Sequence, residues 1–138
     1  MKTEKPSNTE EVDISVVLPV YGCDESLVEL YNRLTVTLKS IVVNYEIIFI
    51  DDCGPGNPWK LIQDISEEDS KVKGIKLSRN FGQHTAINAG LMESTGEWVV
   101  VMDCDLQDRP EAIVNLYNAS QKGVEIVYAQ RVSRQDSY

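Results

Sequence analysis

Trp98-Val-Val-Val-Met-Asp-Cys-Asp-Leu-Gln-Asp108 reads as an apolar strand that runs directly into three carboxylates and an amide. An apolar run with no polar alternation marks a strand covered on both faces, and such strands belong to parallel sheets flanked by helices. The acids then fall at the strand's carboxyl end. Three negative charges gathered there repel one another unless a cation neutralises them, and hard divalent cations prefer oxygen ligands. In extended chain, residues two apart point the same way. Asp103, Asp105 and Gln107 are therefore expected to face one side together.

Working outward, the same rhythm repeats. A buried strand over 14–19 stops at Pro19. Asp24 is placed to cap the next helix, whose Leu27, Leu30, Tyr31, Leu34, Leu38 and Ile41 form one apolar stripe. A second strand over 45–50 ends at Asp51-Asp52, followed by the turn-rich Cys53-Gly-Pro-Gly-Asn57. Asn57-Pro58 starts a helix with proline at the first helical position. A third strand over 72–77, a helix over 83–94 ended by Gly96, the strand from Trp98, a helix opened by Arg109-Pro110 and a fifth strand over 125–130 complete the pattern. Alternating strands and helices predict an α/β fold, a doubly wound, mostly parallel sheet with helices on both faces. Residues 1–11 are polar and read as a flexible tail, leaving 12–138 as the domain.

In such sheets ligands bind beyond the carboxyl ends of the strands, at the switch point in strand order. The unusual polar residues fall there: Tyr21 and Glu25 after the first strand, Asp51 and Asp52 after the second, Arg79 and Asn80 after the third, Asp103, Asp105 and Gln107 after the fourth, and Arg131 after the fifth. A strand order of 3-2-1-4 makes the first and fourth strands flank the crevice. Neither a Gly-x-x-x-x-Gly-Lys loop nor a Gly-x-Gly-x-x-Gly fingerprint occurs, so any phosphate must be held by metal and arginine instead of a glycine cradle.

Composition narrows the partners. Net charge is −9, from 22 acids against 13 bases, which excludes a general nucleic-acid binder but not a nucleotide bridged by a metal. Three cysteines without a Cys-x-x-Cys pair, and a single histidine distant from them in sequence, argue against a zinc site. The odd count and the absence of a secretory signal point to a reducing, cytoplasmic compartment, with Cys53 and Cys104 as small packing residues. His84 reads as a helix-start residue, and Trp59 and Trp98 as core.

Four segments, Val17-Leu-Pro-Val-Tyr21, Phe49-Ile-Asp-Asp52, Leu77-Ser-Arg-Asn-Phe-Gly82 and Asp103-Cys-Asp-Leu-Gln-Asp108, resemble the inverting glycosyltransferases of family two, which have the GT-A nucleotide-diphospho-sugar fold. The last two look most like the polyprenyl-phosphate branch, which includes dolichyl-phosphate mannose synthase-like enzymes. The resemblance implies a transferase moving a sugar from a UDP- or GDP-sugar to a polyprenyl phosphate, or another glycan acceptor of the cell envelope, with inversion. It implies Pro19, Tyr21, Glu25, Asp51, Asp52, Arg79 and Asp103 around the nucleotide. Asp103 and Asp105 match the family's Asp-x-Asp, holding Mg2+ or Mn2+ with Gln107 in support, and Arg79 and Arg131 face phosphate charge from donor or acceptor. Two departures stand out: after Asp51-Asp52, Cys53-Gly-Pro-Gly-Asn57 replaces the family's frequent Gly-Ser followed by another acid, and Arg109 stands where the branch has a second proline. The resemblance also implies a longer protein. Its general base would lie past Tyr138, it would sit at the cytoplasmic face of the membrane, and the present chain would be a truncated donor-binding half able to self-associate through its unfinished edge. The alternatives are a non-catalytic nucleotide-sugar-binding or partner-binding module, and a receiver-type signalling domain, which needs its acid pair after the first strand.

Overall fold

The computed structural model describes residues 11–130. Four parallel strands, β1 (Ile14–Val20), β2 (Tyr45–Asp51), β3 (Val72–Lys76) and β4 (Trp98–Val101), alternate with helices α1 (Leu27–Ile41), α2 (Pro58–Glu68), α3 (Gln83–Glu93) and α4 (Ile113–Ser120). The order across the sheet is β3-β2-β1-β4. This is the expected 3-2-1-4 arrangement, and it separates the chain from receiver domains, whose order is 2-1-3-4-5.

The two central strands are buried along their whole length and pair in register from Ile14 with Tyr45 to Val20 with Asp51. Their side chains alternate between two cores. On one face Val16, Leu18, Ile47 and Phe49 pack with Leu27, Leu30, Leu34 and Leu38 of α1, with Ile62 of α2 and with Ile113 of α4. On the other, Val17, Ile48 and Ile50 pack against Ala86 of α3. Helix α3 lies close to the sheet because residue 90 is glycine: a Cβ there would collide with Val17 and Ile50. Trp59 and Trp98 pack at the margin of the larger core, as their sequence context predicts.

At the amino end of the sheet, Glu46 of β2 is buried opposite Ser15 of β1. Its Oε1 accepts hydrogen bonds from Ser15 Oγ at 2.6 Å and from Thr95 N and Oγ1 at 2.7 and 3.0 Å, while Oε2 pairs with Lys73 Nζ at 2.8 Å. Ser15 Oγ in turn accepts from Gly96 N at 2.8 Å. Burial pushes the Glu46 carboxyl up, but the bonds from Lys73, Ser15 and Thr95 outweigh it and hold the group below its ordinary value.

Four expectations are corrected. Residues 125–130 form no strand; Ile126 and Tyr128 are exposed, since β-branched and aromatic composition favours a strand only where a partner edge and a packed face receive it. β4 is an edge strand among the described residues, with Val99 and Val101 exposed, because α3 covers β1 and β2 but not β4. Asp24 does not cap α1; it opens a 3-10 turn, and its Oδ2 accepts from Asn57 N at 2.9 Å at the start of α2. Cys104 is no mere packing residue: it is joined to Cys23 in a disulfide, and Cys53 alone is free.

Candidate functional site

The carboxyl ends of β1, β2 and β4 converge on a cleft of about 430 Å³ lined by Pro19, Tyr21, Asp52, Asn80, Gly82, Gln83, Asp103, Cys104 and Asp105. Its size suits a small-molecule ligand. It lies beside the point where the chain, having stepped from β1 to β2 to β3, returns to the other flank of β1 as β4.

Each wall is fixed by local chemistry. Asp52 N donates to Val20 O at 3.1 Å, tying the end of β2 to β1. The Asp52 carboxylate accepts from Phe81 N at 2.9 Å, and Asn80 Nδ2 donates to Asp52 O at 3.0 Å, which stitches the loops after β2 and β3 together. Tyr21 lies over the β2 loop because residue 54 is glycine; a Cβ there would run into its ring. Asp103 Oδ1 accepts from Gln83 Nε2 at 2.8 Å. Asp105 Oδ1 accepts from Gln107 N at 3.1 Å, an Asx turn that bends the chain, and Leu106 follows with φ of 63°.

That bend breaks the extended geometry assumed for 103–107. Asp103 and Asp105 both reach the cleft, whereas Gln107 is exposed and lies outside its lining. Pro19, Tyr21 and Asp52 also line it. Asp51 is buried behind it, its Oδ1 accepting from Cys53 N at 3.0 Å. Glu25 lines an adjoining depression with Asp24 and Asp105. Arg79 is exposed outside the lining, stacked 4.5 Å from the centroid of the Phe81 ring. Arg131 lies outside the described residues.

Gln83, Gly82 and Cys104 line the cleft although their sequence context did not single them out as binding groups, whereas Asn80 lies at the strand end where it was expected. Gln83 opens α3 directly after Gly82, the residue that starts the helix, and this position at the mouth of the sheet was the available signal.

Among the described residues no group of three or more His, Cys, Asp and Glu side chains is arranged to hold a metal. The cleft instead offers carboxylates from two strand ends, Asp52 on one side and Asp103 and Asp105 on the other. A donor set of one or two carboxylates, completed by substrate phosphates, is how Mg2+ is commonly held, so these residues fit a cation that arrives with a phosphate ligand.

The chain has a GT-A fold, an open parallel α/β sheet with a cleft at the carboxyl ends of its strands, as its likeness to solved structures shows. S. aureus TarS in complex with UDP-GlcNAc shares the fold at a TM-score of 0.63 and 21% identity, over 78% of this chain and 30% of that one. Mannosyltransferase PcManGT from Pyrobaculum calidifontis, in complex with GDP-Man and Mn2+, matches at 0.61 and 17%, over 80% and 34%. The chain belongs to glycosyl transferase family 2, whose model matches residues 15–138. It is 41% identical over 133 residues to an undecaprenyl-phosphate 4-deoxy-4-formamido-L-arabinose transferase of Aeromonas hydrophila, covering 96% of this chain and 41% of the relative. It is 42% identical over 125 residues to the protein of the same name in Pseudomonas fluorescens, covering 90% and 37%. The chain thus spans about two-fifths of the length of the curated relatives it matches. Among the described residues no helix is long and apolar enough to cross a membrane.

Proposed function

We propose that this chain is the donor-binding part of a glycosyltransferase that moves a sugar from a nucleotide-diphospho-sugar to a polyprenyl phosphate, with inversion at the sugar. The observation that carries the reading is the convergence of Asp52, Asp103 and Asp105 on one cleft at the β1/β4 switch point. The acceptor class rests on the undecaprenyl-phosphate transferases to which the chain is similar. The donor class rests on the neighbours bound to UDP-GlcNAc and GDP-Man. A lipid-phosphate acceptor would place the whole enzyme at the cytoplasmic face of a membrane.

Asp103 and Asp105 would hold Mg2+ or Mn2+ on the donor diphosphate. Such a cation acts as a Lewis acid, offsetting the charge that develops on the leaving nucleoside diphosphate. The chain's own residues do the positioning. Tyr21, on its glycine-backed loop, is exposed and lines the cleft, so its ring is suited to a base or ribose. Asp52 offers the carboxylate oxygen not engaged by Phe81 N as an acceptor for base or sugar hydroxyls. Gln83 fixes the rotamer of Asp103, so the carboxylate is oriented before a ligand arrives.

Calorimetry with UDP and GDP, with and without Mn2+, tests this reading. Metal-dependent binding of one of them is expected. A folded sample that binds neither nucleotide in any metal condition would sink it.

A further inference from the structure

Cys23 and Cys104 occupy equivalent places on the two strands that flank the cleft. Cys23 lies three residues beyond the end of β1, and Cys104 three beyond the end of β4. The two are bonded, with a Cα–Cα separation of 6.1 Å across 81 residues of sequence. Cys104 stands between Asp103 and Asp105 and lines the cleft itself. We propose that this pair is a reversible thiol–disulfide site that sets how tightly the Asp103–Asp105 loop engages a nucleotide diphosphate. The inference rests on the donor-site reading and adds its control.

The argument is one of pre-organisation. The loop after β4 is irregular, and Leu106 adopts a left-handed conformation that a branched-chain residue holds only when its surroundings enforce it. Among the described residues, Cys104 and Leu106 pack into the larger core, and two further ties join this loop to the one after β1: the disulfide, and Ser26, whose single hydroxyl proton is shared between Cys104 O at 2.8 Å and Cys23 O at 3.0 Å. Opening the disulfide removes the one covalent tie and leaves the loop to its packing and hydrogen bonds, so its acids are less firmly placed. A ligand must then order the loop as it binds, and its affinity falls by that cost.

The exchange balances without any group beyond a dithiol. One thiolate of the reductant attacks a sulfur of the Cys23–Cys104 bond, releasing the other cysteine as a thiolate that takes up a proton. The second reductant thiol then attacks the mixed disulfide. Both cysteines end as thiols, and the reductant carries away the disulfide and its two-electron oxidation. Cys23 and Cys104 are only 6% and 5% exposed, so exchange requires the loop to open. Bound donor holds it shut. By linkage, a ligand that prefers the disulfide form must make that form harder to reduce by the same factor. Cys53 makes the internal control, since its thiol donates to Leu77 O at 3.0 Å and has no disulfide partner.

The test compares the air-oxidised chain with the same chain reduced by dithiothreitol and desalted under nitrogen. Alkylation in denaturant followed by mass measurement should count one reactive thiol before reduction and three after. Calorimetry with Mn2+ and whichever of UDP and GDP binds should show affinity about tenfold weaker in the reduced chain. The Cys23→Ser chain should match the reduced value with or without reductant, and saturating nucleotide with Mn2+ should slow reduction of the unmutated chain. Three reactive thiols in the oxidised sample, or equal affinity in both states, overturns the redox control while leaving the donor site standing. No binding in either state overturns both. Reduction needs no substitution, so a poorly folding variant does not decide the matter.

Discussion

The sheet holds one buried acid, Glu46, at its amino end and Asp52 and Asp105 beyond the carboxyl ends of β2 and β4, and the two ends treat them differently. Glu46 at the amino end is saturated by the protein: Ser15, Thr95 and Lys73 supply its hydrogen bonds and its counter-charge. At the carboxyl end Asp52 receives one backbone N–H from Phe81, Asp105 receives one from Gln107, and neither makes an ion pair among the described residues. A fully satisfied buried acid rigidifies a fold. Carboxylates facing a cleft with spare lone pairs are available to a ligand. On the proposed reading, the difference separates acids that hold the fold from acids that bind.

Substitutions at the two ends should therefore fail in different ways. The largest effect is expected from Asp105→Asn, which should weaken Mn2+-dependent nucleotide binding on the order of 100-fold by calorimetry, since even partners that only support a metal ligand cost 10–100-fold. Its melting temperature should stay close to that of the unmutated chain, because the side chain is exposed. A loss of fold stability equal to that of a core variant would break the distinction. Glu46→Ala should do the reverse. It orphans the donors of Ser15 and Thr95 and is expected to lower unfolding free energy by about 1–3 kcal/mol in urea melts, with nucleotide affinity little changed.

The pH dependence sharpens the same point. Glu46 is held below its ordinary value of 4.5, so its contribution is complete above that pH and is lost as pH falls through the lower, folded-state value. Acid titrations of stability should accordingly be shallower in Glu46→Gln than in the unmutated chain below about pH 4.5. An identical acid limb in the two would show that the network does not set it. The smallest effect is expected from Gln83→Ala. Losing one neutral bond to Asp103 should cost about tenfold or less in metal-dependent affinity and leave metal-free affinity unchanged. An equal loss in both conditions would mean that Gln83 touches the nucleotide instead of steering the carboxylate.

Much of this was legible in the residues. The apolar runs of β1 and β2 carry no alternation because both faces are covered, and the structure has the 3-2-1-4 order on which the placing of the crevice between the first and fourth strands depended. Pro19, Tyr21, Asp52, Asp103 and Asp105 share one cleft because each sits at or just past the carboxyl end of a strand. What stayed hidden depended on geometry beyond the strands. The displacement of Gln107 comes from the Asx turn at Asp105 and the left-handed Leu106, which periodicity cannot register. Asp24 reads locally as a helix cap, yet its partner Asn57 is 33 residues away. The Cys23–Cys104 bond is invisible as a spacing of 81 residues, but it becomes derivable once β1 and β4 are known to be neighbours. The 125–130 segment has strand composition but no strand partner among the described residues, so propensity alone misplaced it.

Gly90 has a reach that its position does not advertise. It sits two turns along α3 from Gln83, on the far side of the sheet from the larger core, yet the absence of a side chain there is what lets the helix settle against Val17 and Ile50. Even an alanine would lift the helix and carry Gln83 with it. Inherited changes at this spot would thus mimic a lesion of the binding groove while sparing every polar group in it, and a screen of the groove alone would miss them.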